Sequence, residues 1–209
     1  MANPLVVVLA SASPARLAVL RSAGIDPVVS VSGVDEDTLA TTLADATPAE
    51  LVTALARAKA DAVAADIAAE YPDAVIVGCD SMLHIGGELV GKPGCAAAAL
   101  GRWQAMAGGT GELLTGHAVV RLDHGVRTAT ASGAQSTVIR FSKPSTEEIA
   151  AYVGTGEPLQ VAGAFTLDGR GGWFVDGING DPSSVIGISL PLTRRLFAEV
   201  GVAVVSLWS

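Results

Sequence analysis

Only two cysteines occur in the 209 residues, Cys79 and Cys95, and their spacing fits neither a zinc site nor a redox pair. A chain of this length needs no disulfide, so reduced thiols in a cytoplasmic protein are expected. Basic side chains are also in short supply. Thirteen against 21 acidic ones leave a net charge of −8, which argues against broad binding to a nucleic-acid duplex or to an anionic membrane surface. A small anion stays open as a ligand, because it needs only a few cations in one pocket or a divalent metal that links carboxylates to phosphates. Long apolar runs are missing. The stretch Leu5 to Ala10 has no basic leader and is too short to span a membrane, so it reads as a buried strand and no export is expected. His84, His117 and His124 lack the spacing of metal ligands and are assigned to surface or core. No Ser-His-Asp order is present, and Ser183-Ser184 reads as a turn.

What remains is a chain that is half hydrophobic and only 16% charged, compact in composition, with no tail, linker or internal repeat. One domain over residues 1–209 is expected, and two lobes around a cleft are compatible with that length. Leu5 to Leu9 is a β-branched run of the kind covered on both faces of a sheet. A helix follows at once, with Ser13 as N-cap, Pro14 in the first turn and Gly24 as terminator. Thr47-Pro48-Ala49-Glu50 is a capping box that opens a long helix to about Tyr71. A strand is expected from Ala74 to Gly78, a hairpin from Leu83 to Val90 around Gly86-Gly87, and a helix over 94–107. Strands follow at 112–122 and 126–141, and a second capping box at Ser145 to Glu148 starts a helix that stops at Gly154. Residues 163–187 read as strands and tight loops, Pro191 to Val200 as the last helix, and Val202 to Leu207 as a closing strand. Helices, hairpins and crossovers together predict a mixed α/β sheet.

Chemistry is concentrated in a few places. In Ser11-Ala12-Ser13-Pro14-Ala15-Arg16, two hydroxyls and a guanidinium meet a helix start whose amides and dipole favour an anion. The hexapeptide alone admits two readings, a phosphate cradle or a plain cap, and it lacks the glycines and lysine of a P-loop. Lys59 lies in the apolar stripe of the long helix, between Leu55 and Val63, where its ammonium must snorkel, find a partner or enter a polar cleft. Asp80 stands just past a strand that reads as buried, at an edge where ligand sites form or where a turn is capped. With Asp35, Glu36 and Asp37 it offers carboxylates for magnesium, although that acidic run by itself reads as a solvated loop. Lys92 sits between Gly91 and Pro93, either a surface lysine or one held by a constrained backbone.

Taken in order, Ser11 to Arg16, Ala58-Lys59-Ala60, Gly78-Cys79-Asp80-Ser81, Gly91-Lys92-Pro93, Glu157-Pro158, Ala162-Gly163-Ala164 and Gly180 to Gly187 span nearly the whole chain and resemble the Maf family. That family consists of house-cleaning nucleotide pyrophosphatases, also linked by name to inhibition of septum formation. The resemblance implies an elongated α/β fold with a deep central cleft, like that of inosine triphosphate pyrophosphatases, and a homodimer. It implies hydrolysis of nucleoside triphosphates, standard or modified, to a monophosphate and pyrophosphate, with magnesium or manganese. By motif position, Ser11, Ser13 and Arg16 bind phosphate, Glu36 and Asp80 serve the metal and the water, and Lys59 and Lys92 clamp the triphosphate. A nucleotide-binding regulator of division with little turnover is the alternative.

Three departures stand out: Ala15 where the family commonly has a second arginine, Gln160-Val161 where it has an acid-lysine pair, and Asp168 where it has a glutamine. Asp168 cannot offer an amide donor, so base preference is not carried over.

Overall fold

The computed structural model describes residues 5–208. Strand β1 (Val6–Leu9) leads into helix α1 (Pro14–Ser22), then β2 (Val28–Val29), α2 (Glu36–Thr42) and the long α3 (Pro48–Ile67). Next come β3 (Ala74–Ile85), β4 (Glu88–Val90), α4 (Ala96–Met106), β5 (Thr110–Asp123), β6 (Val126–Phe141) and α5 (Thr146–Gly154). After three short 3-10 turns, β7 (Val175–Asn179), α6 (Pro182–Ile186) and α7 (Leu190–Glu199) follow. The fold is the expected mixed α/β class. β1 pairs in parallel with both β2 and β3, whereas β3–β4 and β6–β7 are antiparallel.

Both capping boxes form, with Thr47 and Glu50 closing α3 and Ser145 and Glu148 closing α5 through reciprocal side-chain and backbone bonds. Four expectations change. Val202 to Leu207 is not a strand but ends in a 3-10 turn, Val204–Leu207: Val202, Val204 and Leu207 reach a core, yet Val205 is exposed and, among the described residues, no strand pairs with the segment. The 163–187 segment holds 3-10 turns, one strand and a short helix that includes Ser183 and Ser184. The Asp35 to Asp37 run is not a loop, because Asp35 accepts from the Thr38 amide at 3.0 Å and caps α2. Finally, β3 does not stop at Gly78 but continues through Asp80 to Ile85.

The chain divides into two compact units, the first made of residues up to Asp80, Thr115–Gln135 and Gly187 onward. In that unit the period-two alternation of the strands sorts side chains onto two cores. Val7, Leu9, Val75, Val77 and Cys79 pack with Leu20 of α1 and with Leu196 and Phe197 of α7. Val8, Ala74 and Ile76 pack instead with Ala56, Ala60, Val63 and Ala64 of α3. Continuing the second parity along β3 places Gly78 and Asp80 on the α3 side. The buried stripe of α3, Val52, Leu55, Ala56, Lys59, Ala60, Val63, Ala64 and Ile67, has helical spacing and contains Lys59. Two glycines set how close this helix comes: a Cβ at Gly78 would meet Ala56 O at 2.3 Å, and one at Gly116 would meet Val52 O at 2.1 Å. Side chains there would push α3 off the sheet and carry Lys59 away with it.

The second unit, Ser81–Leu114 and Ser136–Ile186, is built on aromatic contacts. Trp103 is fully buried, meets Phe141, Tyr152 and Phe174 edge-on, and donates its indole N–H to Ala164 O at 2.8 Å. Glu157 organises the neighbouring loop, accepting from the Thr166 hydroxyl at 2.5 Å and the Gly171 amide at 3.2 Å. Burial works to raise its carboxyl, but the hydrogen bonds from Thr166, Gly171 and Arg170 outweigh it and hold the group below the usual range. A depressed carboxyl contributes stability above its unfolded value and loses it as pH falls through the folded one. Glu157→Gln is therefore expected to unfold at lower denaturant than the parent at neutral pH, with the gap closing in acid; urea titrations across pH measure this.

Candidate functional site

Six of the seven residues singled out from the sequence converge within the first unit. The end of β1 delivers Ser11, and Ser13 takes an extended backbone that lets its hydroxyl accept the Arg16 amide at 3.4 Å. Ser13 is thus the cap the sequence suggested. Its own amide donates to Ser11 Oγ at 3.2 Å, which tightens the turn. Arg16, on the first turn of α1, is braced in three directions: Nη1 donates to Ser11 Oγ at 3.1 Å and to Cys79 O at 2.8 Å, and Nε donates to Gly187 O at 2.9 Å. The guanidinium charge is fixed beside the turn, one residue along β3 from Asp80. The backbone carbonyls of Cys79 and Gly187 are part of this arrangement, and side-chain motifs gave no sign of them.

Lys59 resolves its alternatives by finding partners. Its Nζ lies 2.7 Å from Asp80 Oδ1 and 2.9 Å from Glu36 Oε1, with Lys59 and Asp80 side chains each 9% exposed and Glu36 52%. The parity of β3 and the stripe of α3 are what bring the pair together, so the two groups are neither surface charges nor far apart. Asp80 Oδ2 is buried and has no hydrogen-bond partner among the described residues. Burial pushes the Asp80 carboxyl above the ordinary carboxylate range, against the opposing pull of Lys59 and Arg16. Cys79, facing the other core, has its thiol pushed up to about 11 by burial, so it stays protonated and is no nucleophile.

A hard divalent cation suits this donor set. Asp80 Oδ2 is an unpartnered buried oxygen, Glu36 is a half-exposed carboxylate beside it, and both offer oxygen, which magnesium and manganese prefer over nitrogen or sulfur.

Lys92 lies in the second unit. Its side chain is exposed, on a loop pinned where Arg102 donates to Gly91 O at 2.6 Å and Gly94 donates to Leu159 O at 3.0 Å. Ala15 is on the first turn of α1, and Asp168 is exposed near the loop that Glu157 organises. The histidines separate as well. His124 is a surface residue beside Asp73 and Asp123, and His117 is fully buried. Among the described residues no helix is long and apolar enough to cross a membrane.

Comparison with known proteins covers nearly the whole chain. Residues 6–200 match the family described as Maf-like protein. A protein of Saccharopolyspora erythraea named nucleoside triphosphate pyrophosphatase is 66% identical over 202 residues, which cover 96% of each chain. Proteins of the same name from Nocardia farcinica and Mycolicibacterium vanbaalenii are 62% and 57% identical, over 97% of this chain and 96% and 98% of theirs. Because the match runs from the first strand to the last helix, this chain belongs to the Maf family.

Proposed function

We propose that this protein is a nucleoside triphosphate pyrophosphatase, which cleaves between the α and β phosphates to release a nucleoside monophosphate and pyrophosphate. The observation that carries the reading is the buried Lys59–Asp80 pair with its unpartnered Asp80 Oδ2, beside a turn braced to receive phosphate. The names of relatives at 55–66% identity support it. Ser11, Ser13 and the start of α1 bind phosphate through hydroxyls and amides, with Arg16 supplying fixed positive charge. Lys59 holds Asp80 Oδ1, and the Asp80 carboxylate takes the water's proton as the oxygen attacks the α phosphorus. The P–O bond to the β phosphate breaks, and charge moving onto pyrophosphate is met by Arg16 and Lys59. Magnesium or manganese, held by Asp80 and Glu36, would supply charge neutralisation on the phosphates and a more acidic water.

A homodimer belongs to the same reading and rests on the family alone, whereas the cytoplasm rests on the two free cysteines. The test is pyrophosphate release over a panel of standard and modified nucleotides, with each metal and with a chelator. Pyrophosphate as product, lost on chelation, is expected. Orthophosphate as product would sink the α–β assignment, and tight nucleotide binding with no turnover would favour the regulator of division.

A further inference from the structure

His117 is fully buried in the first unit, on β5, and carries none of the roles assigned to the phosphate and metal residues. Its two ring nitrogens are nevertheless differentiated. The Ser189 amide lies 2.7 Å from Nε2, and since a backbone N–H can only donate, Nε2 carries no proton there. The neutral ring then has its proton on Nδ1, which donates to Thr115 O at 3.0 Å. The imidazole is a fixed link between the backbone of β5 and the segment that enters α7.

That segment is short and constrained. Ser189 caps α7, its Oγ accepting from the Leu192 amide at 3.1 Å. Two residues earlier, Gly187 takes a φ of +134, which L side chains rarely adopt, and its carbonyl accepts from Arg16 Nε at 2.9 Å. A Cβ at Gly187 would sit 3.1 Å from Arg16 Cγ and 3.2 Å from Nε, so the arginine stem lies flat against this backbone. Any shift of residues 187–189 moves the acceptor of Arg16 Nε, and with it the guanidinium that also holds Ser11 Oγ and Cys79 O.

We propose that His117, as the neutral Nδ1-protonated tautomer, is a positioning residue for the phosphate site, holding the Gly187–Ser189 backbone that fixes Arg16. The inference rests on the reading of the Ser11 turn as a phosphate site. It makes His117 and Arg16 a coupled pair, although their side chains act through intervening backbone.

The experiment is a double-mutant cycle read by calorimetry with magnesium and inorganic tripolyphosphate, which presents the phosphates without a base. His117→Leu is expected to weaken tripolyphosphate binding about tenfold in the parent but less than about twofold in the Arg16→Lys background, because the second change then has little left to disturb. His117→Gln, whose carbonyl oxygen can accept the Ser189 amide, is expected to stay within about twofold of the parent. An equal loss in both backgrounds, or none in the parent, overturns the proposal. If His117→Leu does not fold, His117→Val, whose smaller β-branched side chain suits a buried strand position and likewise accepts no hydrogen bond, takes its place in both backgrounds. A parent that does not bind tripolyphosphate overturns the phosphate-site reading and this inference together. Binding and coupling without pyrophosphate release from nucleotides would uphold the inference and sink only the proposed activity.

Discussion

Asp80→Asn is expected to remain folded and to lose turnover by roughly a hundredfold or more, the scale of removing a general base from a prepared site. The substitution is close to isosteric, and the amide oxygen can still accept from Lys59 Nζ in place of Oδ1, now 2.7 Å away. What disappears is the basic Oδ2, replaced by an NH2 that cannot take a proton from water. Stability has two opposed contributions. Burial raises the Asp80 carboxyl, so the ionised group costs stability once pH passes the folded value, a cost that asparagine escapes. Against that, the buried Lys59 ammonium loses its close counter-charge and keeps the half-exposed Glu36. In chelator-treated protein at neutral pH, the variant should therefore melt below the parent while remaining folded. Turnover near the parent level, measured as pyrophosphate released per folded molecule, would remove Asp80 from the mechanism.

The sequence and the fold agree best where local chemistry is decisive. The capping boxes at Thr47 and Ser145, the glycine pair of the Leu83 to Val90 hairpin and the cap at Ser13 are short-range signals, and all of them form as read. Where reading failed, tertiary context had overridden a local pattern. The β-branched run from Val202 found a core but, among the described residues, no neighbouring strand, and α2 has no buried residue from which a hydrophobic stripe could be recognised. For the site, residue types gave Lys59 and Asp80 as candidates, but their contact depends on strand parity and on Gly78 admitting α3, both long-range facts. The supports of Arg16 were less visible still. A backbone carbonyl at Cys79 or Gly187 has no sequence signature, and His117 looks like any core histidine until its partners are known.

Lys59→Met should remove both activity and stability, and the two losses have separable causes. The long apolar side chain fills most of the lysine's volume within the α3 stripe, so packing changes little. The counter-charge of Asp80 is gone, and breaking one side of a buried ion pair typically costs about 3–5 kcal/mol. Some of that cost is relieved when Asp80 takes up a proton, so denaturant unfolding should find the loss larger at neutral pH than in acid. Glu36, half exposed, can turn to water and adds little. Adding Asp80→Leu separates the causes: with both charges gone, no unpaired ion remains in the interior, and the double variant should regain most of the stability while staying inactive. A double variant no more stable than Lys59→Met would show that the single change had acted through packing. Recovery of stability without activity would mean that the buried pair is retained for the work of Asp80 Oδ2 and that the fold does not depend on it.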